Sequence, residues 1–289
     1  MTVVPQHDTG FTRTPGGGAT DAVVILSPDR TDLVLELDRT FSGWGRASGA
    51  REIQPPPVYP LRDLEKFDVY TNFPHLVFAG AALDLEGSRK PSGGRFERQD
   101  LKDARIGLSH ATCYGAFLYY ENARLTEDTS VTLVNRCFRH EDHFSGLRRL
   151  LSFQMREIVA LGSPEHAQGV LARFTERILA FADALSLKLE KVPATDPFFE
   201  KGGARALMAK VSPVKYEFQA GDLAIASVNN HRNFFGERCD IRRGEDGEFA
   251  HTSCVAFGLE RWLAVLLEQH GDDAQRALEA VRRASARVS

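Results

Sequence analysis

Apolar residues recur at helical spacing through Val170, Phe174, Ile178, Phe181 and Leu185, a stripe that predicts one long amphipathic helix. Ser163 followed by Pro164 and Glu165 marks its start, a capping side chain and then proline at the first helical position, and the pattern runs to about Leu187. Stretches rich in β-branched and aromatic residues predict strands over 111–120 and 131–138. Segments 211–218 and 223–228 flank Gln219-Ala220-Gly221-Asp222 and predict an antiparallel hairpin. A short strand is expected over 254–257, with Gly258 turning it into a helix near Leu259. Asp272 is the expected cap of a last helix whose Ala274, Leu278 and Val281 face inward. The runs 23–26 and 33–37 are apolar but too short to declare a type. Residues 147–157 read two ways: Leu147, Leu150, Leu151 and Ile158 sit at helical spacing, whereas Arg149, Phe153 and Glu157 all fall on one parity, as a strand face requires.

Strands joined by hairpins with helices clustered beside them imply an α+β fold with an antiparallel β-sheet rather than a doubly wound one. Neither a P-loop nor a dinucleotide-binding glycine pattern is present. Residues 1–20, through Pro15-Gly16-Gly17-Gly18, read as a flexible lead-in, and 21–289 as one domain. The Pro55-Pro56-Pro57 segment is extended chain, because each proline removes a donor and restricts φ. Residues 87–94 are a loop. A net charge of -3 and a pI near 6.3 argue against a whole-surface grip on nucleic acid. No run approaches the roughly 18 apolar residues of a membrane span, and no secretory signal opens the chain, so a cytoplasmic protein without a membrane is expected. The four cysteines, Cys113, Cys137, Cys239 and Cys254, contain no CxxC pair. They are buried small hydrophobes or members of a site assembled by the fold.

Candidate chemistry concentrates in Arg136-Cys137-Phe138-Arg139-His140-Glu141 and in Phe153-Gln154-Met155-Arg156-Glu157. Arg139 and Glu141 share a face if the chain is extended there, and Arg149, Phe153 and Glu157 share one on the next segment. Two cations, two carboxylates and an aromatic ring suit a nucleotide: arginine for phosphate, the ring for the base, a carboxylate for an exocyclic amine. A charged helix with solvated arginines is the competing reading. Further on, His251-Thr252-Ser253-Cys254-Val255-Ala256-Phe257-Gly258-Leu259-Glu260-Arg261-Trp262 reads as strand, glycine turn and helix, with arginine in the first helical turn.

Taken in order, these segments resemble motifs 2 and 3 of the class II aminoacyl-tRNA synthetases, with a seryl-type core. Pro56-Pro57-Val58 and Phe73-Pro74-His75-Leu76 are similar to the region that builds the family's dimer interface. The resemblance covers roughly 50–268 and implies an antiparallel sheet flanked by helices, with 147–157 as strand. It implies that Arg139 holds the α-phosphate of ATP, Glu141 accepts from the adenine amine, Phe153 stacks on the base with Arg149 beside it, and Arg261 covers the other face and approaches the γ-phosphate. Adenylation of an amino acid with release of pyrophosphate would follow, with Mg2+ accompanying ATP. Ala224 stands where the synthetases carry a magnesium-binding glutamate. No coiled-coil tRNA-binding arm precedes the core, so tRNA is not the expected acceptor.

Arg-Cys-Phe-Arg-x-Glu, Ser-Phe-x-Met-Arg-Glu, Ser-x-Asn-x-His-Arg and His-Thr-x-Cys-Val-Ala-Phe-Gly are closer to a truncated branch, the amino acid:[carrier protein] ligases. That resemblance implies activation of glycine or alanine and transfer to the phosphopantetheine thiol of an acyl carrier protein, by a homodimer. It also implies one Zn2+ per subunit on Cys113, Glu157 and Cys254, leaving a fourth place for the substrate's amino group. Glu157, Asn230 and His231 are its expected substrate-binding residues; without zinc, Glu157 would bind the amine directly. A residual aminoacyl-tRNA synthetase and a non-catalytic adenylate-binding paralogue are the alternatives.

Overall fold

A seven-stranded mixed sheet organises the molecule. The computed structural model describes residues 22–87, 90–195 and 214–288, together with the backbone of 13–15. In chain order the strands are β1 (Arg51–Glu52), β2 (Thr129–Phe138), β3 (Ser152–Gly162), β4 (Glu190–Ala194), β5 (Lys215–Ala220), β6 (Leu223–Arg232) and β7 (His251–Gly258). They lie in the order β4-β5-β6-β7-β3-β2-β1. All neighbours are antiparallel except β1, which pairs parallel with β2. The expected antiparallel architecture is therefore present, with one parallel edge.

Alternation along the strands separates two cores. Ile158, Ala160, Val255 and Phe257 face a helix layer made of α1 (Pro28–Ala47), α3 (Pro164–Ala184), α4 (Leu259–Gln269) and α5 (Ala274–Val288). Phe41 of α1 stacks on Phe257 at 4.1 Å, and Trp44, Phe181 and Trp262 close around that pair. Each such side chain, fully buried, contributes about 1.5–3 kcal/mol. Val131, Leu133, Val159, Leu161 and Cys254 face the other way, onto α2 (Tyr114–Tyr119) and several short turns of helix. That second face carries the chemistry.

Several sequence expectations are corrected. Residues 111–120 are not a strand: Cys113 leads into α2, whose Tyr114 and Phe117 bury one turn apart beside Phe67 and Phe235. The run is apolar throughout, so its period could not separate strand from helix. The run 33–37 belongs to the 20-residue α1, whose Ser27-Pro28-Asp29 start has the same form as Ser163-Pro164-Glu165. The long helix itself ends at Ala184, and Ser163 Oγ accepts from the His166 amide at 3.1 Å. The strand expected over 147–157 begins only at Ser152, and 254–257 extends to His251–Gly258. Asp272 does not cap α5. It takes a left-handed φ of 65° and pairs with Arg30, while Asp273 Oδ1 accepts from the Arg276 amide at 2.9 Å. The expected hairpin is β5 and β6 around Gly221, whose φ is 61°. Its first residues, 211–213, and the lead-in outside 13–15 lie outside the described residues. Arg13–Pro15 pairs in parallel with Val23–Ile25. No helix among the described residues is long and apolar enough to cross a membrane.

Candidate active site

Phe153, Met155 and Glu157 follow one another on the same face of β3, the face that Val159 and Leu161 continue into the second core. At about 3.3 Å per residue, Phe153 and Glu157 are separated by about 13 Å along the strand. The floor therefore has two ends, one at Phe153 and one at Glu157.

At the Phe153 end a cleft opens to solvent. Its walls include Arg139, Glu141, Arg149, Phe153 and Arg261, so all five residues expected at a nucleotide converge there. β2 ends at Phe138, and the Arg139 amide still bonds Leu151 O at 2.9 Å. The Arg139 guanidinium donates from Nε and Nη2 to His110 O, both at 3.2 Å, and lies 5.1 Å over the Phe153 ring. Arg149 is off the strand, in a turn opened by Gly146 at φ 57°, and donates to Glu141 Oε2 at 2.7 Å. Arg261 donates to the carbonyls of Arg148 and Ala224 at 3.1 and 3.0 Å. Burial, helped by the charges of Arg139 and Arg149, pushes its guanidinium down to about 10. Glu260, next to it, is buried and accepts from the Gln154 amide at 2.8 Å; burial raises its carboxyl to about 7. Arg139, Arg148, Arg149, Lys215 and Arg261 thus face Glu141, Glu217 and Glu260, the last with its ionisation opposed by burial. Cations packed so closely disfavour one another, and a polyanion entering the cleft relieves that repulsion.

At the other end, Cys113 before α2, Glu157 on β3 and Cys254 on β7 place one ligand atom each within 4.8 Å of one another, all buried. The Thr112 amide donates to Glu157 Oε1 at 3.1 Å, while Oε2 is buried and makes no hydrogen bond with a nitrogen or oxygen among the described residues. Cys113 is held well up by its contact with the Cys254 thiol, by burial and by the Glu157 charge. Cys254 gains from the Cys113 contact, but burial and Glu157 outweigh this and raise it. Burial likewise raises Glu157 against its hydrogen bonds. Three clustered donors whose ionised forms burial disfavours are what a divalent cation stabilises, and two thiolates with a carboxylate suit a thiophilic tetrahedral ion with a fourth place open. Cys137 and Cys239 stand apart from the cluster, each pushed to about 12 chiefly by burial, as inert buried thiols.

Asn230 is not brought to the site. It points to the helix layer, where its Nδ2 donates to Gln168 Oε1 of α3 at 3.0 Å. Asn229 faces the cluster instead, paired across the sheet with Cys254, and His231 lies on the same side with Nε2 3.5 Å from Cys254 Sγ. The parity rule was the available signal: 229 and 231 can share a face with a cysteine on the neighbouring strand, whereas 230 and 231 cannot share one. Sequence reasoning also missed Arg156. It is buried on the helix face, bidentate to Asp38 at 2.7 and 2.8 Å and bonded to Glu52 at 3.1 Å, tying α1 and β1 to the central strand.

A sheet of this order with an arginine-lined cleft over one face and a motif-bearing β7–α4 turn defines a class II synthetase core. The pattern of the tRNA synthetase class II core domain (G, H, P, S and T) matches residues 102–270, and the chain belongs to that family. It is 31% identical over 245 residues to amino acid--[acyl-carrier-protein] ligase 1 of Bradyrhizobium diazoefficiens, covering 79% of this chain and 74% of that protein. Ligase 2 of the same organism is 32% identical over 236 residues, covering 75% and 69%. The seryl-tRNA synthetase of M. kandleri, solved with a tRNASec, superposes with a TM-score of 0.71 at 20% identity; 89% of this chain matches 56% of that one.

Proposed function

We propose that this chain is an amino acid–carrier protein ligase, which activates glycine or alanine with ATP and passes it to the phosphopantetheine thiol of an acyl carrier protein. The observation that carries the reading is the two-ended floor of β3: an arginine-lined cleft at Phe153 and a Cys113–Glu157–Cys254 cluster about two turns of pleat away on the same face. A small amino acid sits beside the cluster with its amine toward the three donors, and its carboxylate meets the α-phosphate that ATP extends along the floor from the cleft. The two named ligases of B. diazoefficiens, similar over about three quarters of this chain, support the choice of acceptor.

In the adenylation step, an oxygen of the amino-acid carboxylate attacks the α-phosphorus of magnesium-bound ATP. The bond from that phosphorus to the α,β-bridging oxygen breaks, and pyrophosphate leaves. Arg139 holds the α-phosphate where charge builds up, and Phe153 supports the adenine while Glu141 accepts from its exocyclic amine. Arg149 aims Glu141, and Arg261 takes the far phosphates. In the second step the carrier thiol, its proton passing to solvent, attacks the acyl carbon, the bond from that carbon to the phosphate oxygen breaks, and AMP departs with the bonding pair. Cys113, Glu157 and Cys254 would hold a zinc ion, which would supply a Lewis-acid partner for the free α-amino group. His110 contributes through its carbonyl, which orients Arg139.

A homodimer formed beside the Pro55–Pro57 segment is part of the proposal, supported by the exposed Ile106 on the strand that pairs with Val58–Pro60. A reducing, cytoplasmic setting fits four free, buried cysteines. The test is amino-acid-dependent ATP–pyrophosphate exchange by zinc-replete protein over all standard amino acids, followed by transfer to holo carrier protein. Exchange confined to glycine and alanine, with thioester formed on the carrier, is expected. No exchange with any amino acid would refute the reading.

A further inference from the structure

Beyond the three donors, the surroundings of Cys254 contain a built feature. β6 and β7 run in register through Asn229 opposite Cys254 and Asn230 opposite Ser253, and then the ladder slips, so that Arg232 faces Thr252. His231 is the extra residue that the slip inserts between Asn230 and Arg232. Such bulges re-aim a side chain at the expense of regular pairing. Here the backbone is also bent into a left-handed φ of 53° at Arg232, whose amide is caught by Asn230 Oδ1 at 2.9 Å. Strain of that kind in a non-glycine residue is held only where the surroundings enforce it.

The enforced position is specific. The His231 ring is gripped edge-to-face by Phe117 at 5.7 Å and Phe235 at 4.9 Å. Nδ1 lies 3.1 Å from the hydroxyl of fully buried Thr252, and Nε2 lies 3.5 Å from Cys254 Sγ. Asn229 Nδ2 stands 4.0 Å from the same sulfur. A Thr252 hydroxyl that donates to Nδ1 selects the tautomer whose proton is on Nε2, facing the sulfur. His231 is not among the donors that lie within 4.8 Å of one another, which separates it from the metal-holding set.

We propose that His231 is a positioning residue for the metal thiolate. Its Nε2–H donates to Cys254 Sγ, lowers the electron donation of that one ligand, and fixes the direction in which the sulfur faces the other two donors. Cys113 has no such donor among the described contacts, so the two sulfurs become unequal ligands. This rests on the metal reading given above. The general magnitude for an outer partner of a metal ligand is a loss of about 10- to 100-fold in metal affinity when it is removed.

The experiment measures zinc affinity of the full chain by competition with a chromophoric chelator, and the thiolate-to-cobalt charge-transfer band of the Co2+-substituted protein. Thermal melting verifies that each variant is folded. His231→Phe is expected to bind zinc about 10- to 100-fold more weakly and to shift the charge-transfer band to lower energy, because the sulfur lone pair is no longer stabilised. His231→Gln keeps an N–H donor and should recover much of both. An unchanged affinity and band in His231→Phe, with wild-type protein binding metal normally, would overturn the inference and leave the metal reading intact. Equal losses in Gln and Phe would assign His231 to packing alone, and a changed cobalt coordination number in His231→Phe would make it a direct ligand; either result refutes the proposal. Wild-type protein that binds neither zinc nor cobalt would refute the metal reading itself, and this inference with it.

Discussion

Replacing Arg139 with alanine should abolish adenylation while leaving the metal cluster occupied. The fold does not lean heavily on this side chain. It makes two N–H bonds to one carbonyl, His110 O, at 3.2 Å, and a cation–π contact with Phe153 at 5.1 Å. A partly exposed cation–π pair is worth about 0.5–1 kcal/mol, and a hydrogen bond from a charged group about 1.5–3 kcal/mol at most. The expected loss of stability is thus about 2–4 kcal/mol, a shift of a few degrees in melting temperature. The catalytic loss is larger, because a single preorganised donor to developing charge is worth about 10²–10³ in rate and a full guanidinium on a transferring phosphoryl group about 10³–10⁵. ATP–pyrophosphate exchange should therefore fall at least about 10³-fold. Zinc content should be unaltered, since the Phe153 and Glu157 ends of the floor are about 13 Å apart. Exchange assays and metal analysis on the same preparation read both quantities. Exchange retained within about tenfold, or zinc lost together with activity, would show that the division of the floor into a phosphate end and a metal end is wrong.

Cys254→Ser should lower zinc occupancy and relax amino-acid selectivity together; full occupancy by metal analysis would remove Cys254 from the donor set. Arg156→Met should cost about 3–5 kcal/mol less a discount for the partial exposure of Asp38 and Glu52, because it strands two carboxylates. A urea-unfolding midpoint equal to wild type would refute that account. Glu260 has its carboxyl raised to about 7 by burial, from 4.5, so the stability it confers is complete below about pH 4.5 and is lost as the pH rises through 7. Glu260→Gln should then gain on wild type by up to about 3 kcal/mol between pH 4.5 and 8; parallel stability curves over that range would count against it.

Local signals were legible where one chemical rule had one outcome. Ser163-Pro164 announced α3, and the identical form at Ser27-Pro28 would have announced α1 had it been weighed against the short apolar run behind it. The strand at Val131 and the turn at Gly258 follow from β-branched content and glycine in the same way. Residues 111–120 were not legible, because a run apolar on every side has no period to read; packing of Tyr114 and Phe117 against Phe67 and Phe235 decided it. Gly115 shows how close that packing is, as a Cβ there would come within 2.5 Å of Pro55 Cβ.

The cleft was legible as an inventory and only in part as a geometry. Arg139 and Glu141 were paired by strand parity, yet β2 ends at Phe138 and Glu141 is placed by Arg149 instead. Asn230 stands beside His231 in the chain, but the alternation of β6 sends it to the helix layer.

The sequence by itself determined which residues could cap, turn, alternate and carry charge, because those properties depend on a residue and its near neighbours in the chain. Only the tertiary structure decided that Cys113, Glu157 and Cys254 share one dark corner, that Arg261 is held by carbonyls from two distant segments, and that a bulge presses His231 onto Cys254. Those contacts join segments far apart in the chain. Strand order, register and the burial of two opposite faces set them, and no local pattern encodes a distance across a sheet.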